Sequence, residues 1–574
     1  MTEQIRLEHV SFQYPGAEKP VLQDVSLTIN KGEFLAVIGR NGSGKSTLCK
    51  LLNGLIPHFY VGDFFGKVTV NNLVTTEHKV ADLSRHVGYV YQDFDNQIVC
   101  PRVLEDASFA PLNYGDPDYK NKGKQALQLV ELLGFDDEFI WELSGGQKHL
   151  LALAGALSLD PDILIIDEPV AQLDPYHAKK MYDILYNLNV KHGKTIIVIE
   201  HHTEFIADYC RQVVLMDSGS VVWKQATTDA LRQVEQLTAR QIYPPQVAQA
   251  AYLLGESAAD RLPVTLEQAA ALFPKITDTA SAVRKEKTVS QQPHANKKAV
   301  AELKQVVFSY KTIARERKTV LQNINLTVHQ GDYIALVGNN GSGKSSLLRL
   351  LTGLVKPDKG DVLVTGKNTR RQPPEQLADE VTYIYQNPEE MFIEDCVRKD
   401  VEYFLKARKI PDYSKKVDRI LAMFDLTELQ HHDSRLMSGG QQRRASLAIG
   451  VAMDPSILLL DEPTANLDIA TRKYITRLIA TLKNQTGAVI IATHDMQLVA
   501  EWATRVIVLH EGEIIHDGDR ESVFSNTELL ETAGLKPPQI LQLSRDLQMS
   551  PLAYTVNDFV TAWKRKENLC GVCT

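Results

Sequence analysis

Short runs of consecutive apolar residues recur along the chain, and each ends at a glycine, an acid or another polar residue. They cover residues 34–38, 163–166, 196–199, 333–337, 457–460 and 489–492. Runs of this length, bounded by turn residues, predict buried strands. Helices are predicted over residues 48–55 and 347–354, directly after two of the runs. Strands that alternate with helices indicate an α/β fold with a mainly parallel sheet.

The chain contains two copies of one pattern. The segment over residues 39–46, Gly-Arg-Asn-Gly-Ser-Gly-Lys-Ser, recurs with one substitution 299 residues later. The Ser-Gly-Gly-Gln sequence that begins at Ser144 and the Asp-Glu-Pro sequence that begins at Asp167 both recur 294 residues later. His201 is matched by His494. Motifs in the same order at a nearly constant offset predict two copies of one domain.

The duplication continues beyond these motifs. The Pro-Pro-Gln sequence ending at Gln246 recurs at Gln539, so each copy is expected to carry its own C-terminal extension. The predicted organisation is a first domain over residues 1–225, its extension over 226–274, a flexible linker over 275–299, a second domain over 300–520 and its extension over 521–574. The linker is rich in Lys, Ser, Thr and Gln, a composition typical of flexible segments.

Composition and charge exclude several classes of protein. The chain is 44% hydrophobic and 23% charged, which is typical of globular proteins. A net charge of -8 argues against general binding to nucleic acid backbones. We expect no signal peptide and no membrane span, because no apolar run approaches about 18 residues. Scattered cysteines suggest the cytosol, and Cys570 and Cys573 give only a weak metal or redox signal, so we interpret them as reduced thiols.

The repeated Gly-rich segment has the pattern GxxxxGK[ST], and both copies lie between a predicted strand and a predicted helix. Backbone N–H groups of such a loop can surround phosphate oxygens at the positive end of the helix. Lys45 and Lys344 would reach the β- and γ-phosphates, and Ser46 and Ser345 would bind Mg²⁺. The alternative is an ordinary Gly-rich turn, but two matches in register argue against it.

An acid pair ends one predicted strand in each copy. Asp167 and Asp461 are placed to hold the Mg²⁺ shell. Glu168 and Glu462 follow them and are the candidates to orient or deprotonate the attacking water. The alternative is a pair of acids that merely caps a strand, but the Gly-rich loops upstream favour the catalytic interpretation.

The sequences Leu143-Ser-Gly-Gly-Gln147 and Met437-Ser-Gly-Gly-Gln441 complete a motif set that resembles the ABC ATPase family over most of the chain. The resemblance implies two tandem P-loop ABC-type nucleotide-binding domains, each with a helical subdomain, that hydrolyse ATP with Mg²⁺. It implies adenine-stacking aromatics at Tyr14 and Tyr310, catalytic-site glutamines at Gln92 and Gln386, D-loop aspartates at Asp174 and Asp468, and switch histidines at His201 and His494. It also implies that the two domains pair head to tail within the chain, so that Lys45 and Glu168 would face Ser438 and Gly440.

The resemblance assigns the ATP and Mg²⁺ ligands residue by residue. The implied ATP ligands are Tyr14, Gly39, Asn41, Gly42, Ser43, Gly44, Lys45, Ser46, Thr47, Ser144, Gly145, Gly146 and Gln147 in the first copy, and Tyr310, Gly338, Asn340, Gly341, Ser342, Gly343, Lys344, Ser345, Ser346, Ser438, Gly439, Gly440 and Gln441 in the second. The implied Mg²⁺ ligands are Ser46, Gln92, Asp167, Ser345, Gln386 and Asp461.

The two copies depart from the family pattern in different places. The first D-loop reads Val170-Ala-Gln-Leu-Asp174 where the second reads Thr464-Ala-Asn-Leu-Asp468. After its signature the first copy has Lys148-His149-Leu150, without the arginine that the second keeps at Arg444. No phosphate ligand or catalytic acid is lost, so we expect two competent sites with unequal rates.

The segments over residues 93–98 and 387–392 resemble those of energy-coupling factor ATPases, although an ordinary polar turn is the alternative. This resemblance implies an importer of a vitamin or metal ion, with a transmembrane coupling subunit and a substrate-binding subunit as partners. The chain would then lie at the cytoplasmic face of the cell membrane as a peripheral protein. We expect docking through apolar residues after the two glutamines, at Phe94, Ile98, Met391 and Phe392, unless these residues are ordinary core.

A soluble tandem ABC ATPase that acts on ribosomes or nucleic acid is the alternative function. Such proteins usually place a strongly basic helical arm between the domains. Residues 225–298 carry nine Lys and Arg against seven Asp and Glu, so no basic block is present. We therefore favour the transporter and expect no nucleic acid partner.

Overall fold

The computed structural model describes residues 2–171, 173–256, 261–274, 298–311, 317–465, 467–482 and 487–570. For residues 567–570 it describes the backbone only. The chain divides into two compact units. The first extends to Pro274 and includes residues from Val556 onward, and the second covers Lys275–Thr555. Most of the predicted linker, residues 275–297, lies outside the described residues, as do the Cys570 side chain and all of Cys573.

Two sheets form the framework of the first unit. Its strands are β1 (Glu3–Gln13), β2 (Leu22–Asn30), β3 (Phe34–Gly39), β4 (Asp63–Val70), β5 (Leu73–Val74), β6 (Val87–Val90), β7 (Ile163–Asp167), β8 (Thr195–Ile199), β9 (Gln212–Asp217) and β10 (Ser220–Ala226). One sheet is antiparallel, in the order β2-β1-β4-β5. The other has the order β10-β9-β3-β8-β7-β6 and is parallel except at β10.

Helices follow the strands of the first unit and form its C-terminal extension. They are α1 (Lys45–Leu52), α2 (Leu55–His58), α3 (Val80–Leu83), α4 (Val103–Ala107), α5 (Phe109–Asn113), α6 (Tyr119–Leu129), α7 (Gly145–Leu157), α8 (Pro175–His192), α9 (Thr203–Tyr209), α10 (Thr227–Leu231), α11 (Val234–Ala239), α12 (Gln246–Leu253) and α13 (Leu266–Leu272). Short 3₁₀ turns cover Phe94–Asn96, Leu133–Phe135 and Ile140–Glu142.

The second unit repeats this plan. Its strands are β11 (Ala299–Lys311), β12 (Arg317–His329), β13 (Tyr333–Val337), β14 (Lys359–Val364), β15 (Lys367–Asn368), β16 (Val381–Ile384), β17 (Ile457–Asp461), β18 (Ala488–Ala492), β19 (Arg505–His510) and β20 (Glu513–Gly518). Its helices are α14 (Lys344–Thr352), α15 (Pro374–Leu377), α16 (Val397–Ala407), α17 (Tyr413–Met423), α18 (Gly439–Val451), α19 (Ile469–Thr481), α20 (Met496–Trp502), α21 (Arg520–Phe524), α22 (Thr527–Thr532) and α23 (Gln539–Asp546). The sheet orders are β12-β11-β14-β15 and β16-β17-β18-β13-β19-β20.

Each six-stranded sheet separates two hydrophobic cores. In β7, Ile165 packs into the core shared with the antiparallel sheet, whereas Leu164 and Ile166 pack with the helices on the other face. Because successive strand residues point to opposite faces, a strand buried on both faces is apolar throughout. This explains why the sequence shows continuous apolar runs, and the predicted parallel α/β core is confirmed.

The structure differs from the predicted elements in two respects. The four-stranded antiparallel sheets were not predicted. The helices α1 and α14 begin at Lys45 and Lys344, three residues before the predicted starts, because their first turn is polar and faces the Gly-rich loop instead of the core.

The last helix, α24 (Val556–Cys570), belongs to the first unit. Phe273 makes edge-to-face contacts with Phe559 and Trp563, at ring-centroid distances of 5.4 and 4.9 Å. The segment 521–574 was predicted as one extension of the second copy. It is instead divided at Thr555: the part up to Thr555 belongs to the second unit, and the part from Val556 belongs to the first. Among the described helices, none has the length and apolar character needed to cross a bilayer.

Candidate nucleotide site

The Gly-rich loop of each unit joins a buried strand to a helix that starts with the loop lysine. Gly44 and Gly343 precede α1 and α14 with φ angles of 96° and 105°, in the left-handed region that favours glycine. A Cβ on Gly44 would also lie 2.9 Å from the carbonyl oxygen of Val21. The backbone can therefore turn its N–H groups inward at the positive end of a helix, the arrangement that binds phosphate.

Both loop lysines are buried and lie across their own loops. The Lys45 Nζ donates to the Gly39 carbonyl oxygen at 2.9 Å, and the Lys344 Nζ donates to that of Gly338 at 2.8 Å. The hydroxyl of Ser342, like that of Ser43, is buried without a hydrogen-bond partner. The loop thus holds its ammonium group where anionic oxygens would be received. The other residues predicted to bind triphosphate, Gly42, Asn41, Thr47, Gly341, Asn340 and Ser346, lie in these loops or in the first turn of the following helix.

The two predicted adenine aromatics lie near those helices. The Tyr14 hydroxyl is 3.4 Å from the Thr47 hydroxyl, and the Ser346 hydroxyl donates to that of Tyr310 at 3.3 Å. Tyr310 is 38% exposed, so part of its side chain is accessible to a ligand.

Asp167 and Asp461 end β7 and β17 and are both buried. Burial raises the pKa of both carboxyls, while hydrogen bonds from the loop serines, Ser46 and Ser345, oppose that rise. The Tyr383 hydroxyl donates to Asp461 Oδ2 at 2.6 Å, and Asp461 Oδ1 is buried without a hydrogen-bond partner. An unpartnered buried carboxylate oxygen beside a serine hydroxyl fits a hard divalent cation, whose charge would favour the ionised form of the carboxyl.

In the first unit, the predicted glutamine, acid and histidine lie together. The Gln92 amide donates to Glu168 Oε2 at 2.7 Å, and His201 Nε2 is 3.2 Å from Glu168 Oε1. Glu168 has a φ of 53°, which is uncommon outside glycine, and its N–H donates to the Ile199 carbonyl oxygen at 3.0 Å. This backbone turns the carboxylate away from the strand and towards the glutamine and histidine.

The second unit arranges its acid differently. His494 Nδ1 is 2.9 Å from Glu462 Oε1, and the Thr493 hydroxyl donates to Glu462 Oε2 at 3.2 Å. Burial alone would raise the pKa of Glu462, but the charge and hydrogen bond of His494 outweigh it and lower that pKa. Burial would likewise lower the pKa of His494, and Glu462 raises it. The two side chains therefore stabilise each other's charged form.

Gln386 is not hydrogen-bonded to Glu462 among the described contacts, in contrast to Gln92 and Glu168. Its backbone is instead held by Arg443, a buried residue of α18 that the sequence analysis did not single out. The Arg443 guanidinium donates to the carbonyl oxygens of Tyr385 at 2.9 Å and of Gln386 at 2.5 Å. Burial lowers the Arg443 pKa to about 10, so it stays charged.

His149 occupies the place of Arg443 in the first unit. Its ring is fully buried and stacks on Phe94 at a centroid distance of 4.5 Å. Neither ring nitrogen has a hydrogen-bond partner, and burial lowers the pKa to about 4. This position directly precedes the departure noted at Leu150 and Arg444, and it has a charged clamp in the second unit where the first has a neutral stacking contact.

A second missed residue is Glu200, which precedes His201. Its Oε1 accepts from the backbone N–H groups of His201 and His202 at 2.7 and 2.8 Å, and Oε2 accepts from the Tyr182 hydroxyl at 2.8 Å. Burial raises its pKa to about 6. An acid that interrupts the apolar pattern directly before a predicted catalytic histidine was the available signal.

The signature and D-loop residues cap helices. Ser144 and Gln147 form a capping box at the start of α7, and the Ser438 N–H donates to Gln441 Oε1 at the start of α18. Asp174 Oδ1 accepts from the His177 N–H at 2.9 Å, at the start of α8. Asp468 caps α19 in the same way. The signature glycines Gly145, Gly146, Gly439 and Gly440 are the first residues of their helices, so their N–H groups lie at the positive helix ends.

The prediction that Phe94 and Phe392 are exposed for docking is wrong. They are 5% and 7% exposed and belong to the main cores, and Ile98 and Met391 pack against the same cores. Their side chains fill the space beneath the turn after the glutamine, which is the ordinary packing that the sequence left open as the alternative.

Comparison with known proteins identifies the family. The ABC transporter family model matches residues 22–171 and 321–465, which contain both Gly-rich loops, both signatures and both acid pairs. A "Putative ABC transporter ATP-binding protein" of Methanosarcina mazei is 32% identical over 95% of this chain and 94% of its own length. One of Vibrio vulnificus is 31% identical over 98% and 97%. A structure of cbiO1 from Clostridium perfringens, described as part of the ABC transporter complex cbiONQ, is 28% identical, covers 42% of this chain and 96% of its own, and has a TM-score of 0.38. The chain therefore belongs to the ABC transporter family, as an ATPase with two ABC domains in tandem.

Proposed function

We propose that the chain is the energy-coupling subunit of an importer of the energy-coupling factor type, and that its ATP hydrolysis drives uptake of a vitamin or metal ion through separate membrane subunits. It would work as a peripheral protein at the cytoplasmic face of the cell membrane. Support comes from the two ABC domains, from the relatives' description as transporter ATP-binding proteins and from a duplicated surface beside the catalytic glutamines.

The residues of each unit suggest a division of labour in hydrolysis. Lys45 and Lys344 would neutralise the triphosphate. Asp167 and Asp461 would hold Mg²⁺ together with the loop serines, and the ion would screen the charge of the phosphate oxygens. Glu168 and Glu462 would orient and deprotonate the attacking water, and His201 and His494 would fix those carboxylates.

The observation that carries the transport proposal is an exposed apolar residue after each catalytic glutamine. Val99 is 60% exposed and Ile393 is 52% exposed, and they occupy equivalent positions in the two copies. Asp106 Oδ1 accepts from the Val99 N–H at 2.8 Å, and Asp400 Oδ1 accepts from the Ile393 N–H at 2.8 Å. Both aspartates are buried, so each unit uses a buried acid to hold this turn in place.

An exposed valine or isoleucine on a fixed turn loses little conformational entropy when a partner covers it. The same turn follows the glutamine, whose side chain in the first unit touches the catalytic acid Glu168. A partner bound at Val99 or Ile393 would therefore be placed to respond to ATP binding and hydrolysis. We take these two residues as the centre of the docking surface for the membrane subunits.

The test is a pair of substitutions, Val99→Asp and Ile393→Asp, made together in the full chain. The double variant should keep its ATPase activity in solution, because neither residue belongs to a Gly-rich loop, a signature sequence or an acid pair. It should lose co-purification with integral membrane proteins in mild detergent, and membrane vesicles that contain it should lose ATP-driven uptake. Val222→Asp with Ile515→Asp is the matched control, since these residues are 39% and 38% exposed on the equivalent strands β10 and β20.

Two outcomes would contradict the proposal. If the Val99 and Ile393 variant still binds its membrane partners, the docking surface lies elsewhere. If the unaltered chain co-purifies with ribosomal RNA and with no membrane protein, the transport function itself is wrong.

A further inference from the structure

In the first unit, one buried carboxylate holds the backbone at the point where the chain leaves β8. Glu200 is the first residue after this strand, and its N–H donates to the Val37 carbonyl oxygen at 3.3 Å. Its Oε1 accepts from the N–H groups of both His201 and His202, at 2.7 and 2.8 Å. Hydrogen bonds to an ionised acceptor are stronger than those between neutral groups. A single oxygen therefore fixes the two peptide groups that follow the strand.

The other oxygen of this carboxylate is held from α8. The Tyr182 hydroxyl donates to Glu200 Oε2 at 2.8 Å. Burial, and after it the charge of Glu200, raises the Tyr182 pKa, so the phenol stays protonated and is the donor. The Tyr182 ring is fully buried and stacks on Phe205 at a centroid distance of 4.8 Å. Because both oxygens are bonded and the tyrosine is enclosed, the carboxylate is held in one orientation.

The histidine held in this way contacts the predicted catalytic acid. His201 Nε2 lies 3.2 Å from Glu168 Oε1. The Glu168 N–H donates to the Ile199 carbonyl oxygen, so the acid is also fixed relative to the end of β8. The contacts form one continuous series, Tyr182–Glu200–His201–Glu168. A shift of the Glu200 carboxylate would therefore move the His201 backbone, and with it the imidazole that contacts the acid.

The second unit replaces both supporting residues. Thr493 occupies the place of Glu200, and its hydroxyl donates directly to Glu462 Oε2 at 3.2 Å. Thr476, on α19, occupies the place of the tyrosine, and its hydroxyl donates to a carbonyl oxygen of its own helix at 2.9 Å. The second unit thus supports its acid by a direct contact, whereas the first acts through the backbone of the histidine.

We propose that Glu200 is a positioning residue of the first site: its carboxylate holds His201 in contact with Glu168, and Tyr182 holds the carboxylate. The second site does not depend on a residue of this kind. The proposal rests on the catalytic role proposed for Glu168 but not on transport. Glu200 lies outside the Gly-rich loop, the signature and the acid pair, so its loss should slow hydrolysis without weakening ATP binding. A displacement of about 1 Å at a reacting group costs up to about 100-fold in rate, which sets the upper limit of the effect.

The test measures steady-state ATP hydrolysis by the full chain in two backgrounds. Glu462→Gln silences the second site, so the remaining kcat reports the first, and Glu168→Gln does the converse. In the first background, Glu200→Met should lower kcat by about 10- to 100-fold and change KM by less than about twofold. In the second background it should leave kcat within about twofold of the parent, whereas a general folding defect would lower the activity of both sites.

Three further variants separate hydrogen bonding from packing. Glu200→Gln should keep the first-site kcat within about twofold, because the amide oxygen accepts from both N–H groups and the amide nitrogen donates to the Tyr182 oxygen. Tyr182→Phe should lower that kcat by about threefold, since one of three hydrogen bonds to the carboxylate is lost. Tyr209→Phe is the matched control and should leave kcat unchanged. The Tyr209 ring packs against Tyr182 at 5.1 Å, but its hydroxyl donates to Asp183 Oδ1 at 2.7 Å.

The proposal is overturned if Glu200→Met leaves the first-site kcat unchanged or lowers both sites alike, or if Glu200→Gln is as slow as Glu200→Met. Should Glu200→Met not fold, the comparison of Tyr182→Phe with Tyr209→Phe decides, and equal kcat values for these two overturn the proposal. Normal hydrolysis by Glu168→Gln with Glu462→Gln would overturn the catalytic role of Glu168, and the proposal with it. An inactive double variant together with an unaffected Glu200→Met overturns the positioning role alone. Because no membrane partner enters the measurement, a failed transport proposal leaves these outcomes unaffected.

Discussion

The two units share one fold and one motif set, yet their catalytic acids have different surroundings. The Glu168 carboxylate contacts the Gln92 amide and the His201 imidazole. On the turn that follows Gln92, His149 only stacks on Phe94. Glu462 Oε1 lies 2.9 Å from His494 Nδ1, and these two side chains stabilise each other's charged form. The turn that carries its glutamine is clamped by the Arg443 guanidinium.

The difference shows that duplicated motifs need not produce equal sites. The phosphate-binding loops of the two copies are nearly identical in sequence, whereas the residues beside the catalytic acids differ. Thr493 replaces Glu200, and Arg443 replaces His149. These changes alter charge and hydrogen bonding directly around the acid, and the expectation of unequal rates acquires a physical basis from them.

The largest effect is expected when both acids are removed. Glu168→Gln with Glu462→Gln should retain ATP binding and lower phosphate release by about 10²–10³-fold, because the amide cannot accept the water proton. The single Glu462→Gln change should also lower the His494 pKa, since Glu462 raises it. Phosphate release and an NMR titration of the imidazole measure the two effects. Near-normal hydrolysis by the double variant would remove both residues from the proposed role.

Arg443→Met tests the clamp of the second unit against the stacking contact of the first. The loss of Arg443 leaves the carbonyl oxygens of Tyr385 and Gln386 without their donor, which should cost about 2–4 kcal/mol of unfolding free energy. His149→Phe should change the unfolding free energy by less than about 1 kcal/mol, because neither ring nitrogen of His149 has a hydrogen-bond partner to lose. Denaturant unfolding followed by tryptophan fluorescence compares the two. A similar cost for both substitutions would contradict the distinction.

The pH dependence of the first unit should reveal His149. In the unfolded chain the His149 imidazole takes up a proton near pH 6.5, whereas in the folded protein the buried imidazole stays neutral down to about pH 4. The unfolding free energy therefore falls as the pH drops through that window, by about 2 kcal/mol between pH 7.5 and pH 5. The His149→Phe variant serves as the reference, and the difference between the two stability curves isolates the histidine. A constant difference across this range would contradict the burial argument.

The smallest effect concerns the buried acid before His201. Tyr182→Phe removes one of three hydrogen bonds to Glu200 and should cost about 1 kcal/mol. The equivalent Thr476 hydroxyl bonds to a carbonyl within its own helix, so Thr476→Val should cost less. Thermal unfolding of both variants measures the difference. Equal costs would mean that Glu200 does not depend on Tyr182.

Much of the fold follows from local patterns in the sequence. Continuous apolar runs identified the strands buried on both faces, and the Gly-rich loops marked where helices begin. The antiparallel sheets escaped notice because strands such as β1 and β11 alternate buried and exposed residues instead of forming runs. The position of α24 could not be inferred, since a sequence repeat identifies equivalent segments but not the surface each one covers.

The candidate site shows the same limit. Motif spacing identified Glu168, Glu462 and both histidines as candidates, and the structure brings each acid next to its histidine. The sequence did not indicate that Phe94 and Phe392 are buried, because isolated apolar residues in a polar turn can face either the core or the solvent.

The place of α24 in the first unit has a consequence for how the protein is made. The ribosome completes residues 1–274 first, then must synthesise all of Lys275–Thr555 before α24 emerges. At about 5–20 residues per second, that interval is roughly 15–60 s. Throughout it Phe273 lacks Phe559 and Trp563, the rings that cover it in the finished protein. The half of the molecule that is translated first is therefore completed last, and a nascent chain that stops short of Val556 leaves an uncovered aromatic surface for chaperones or proteases to recognise.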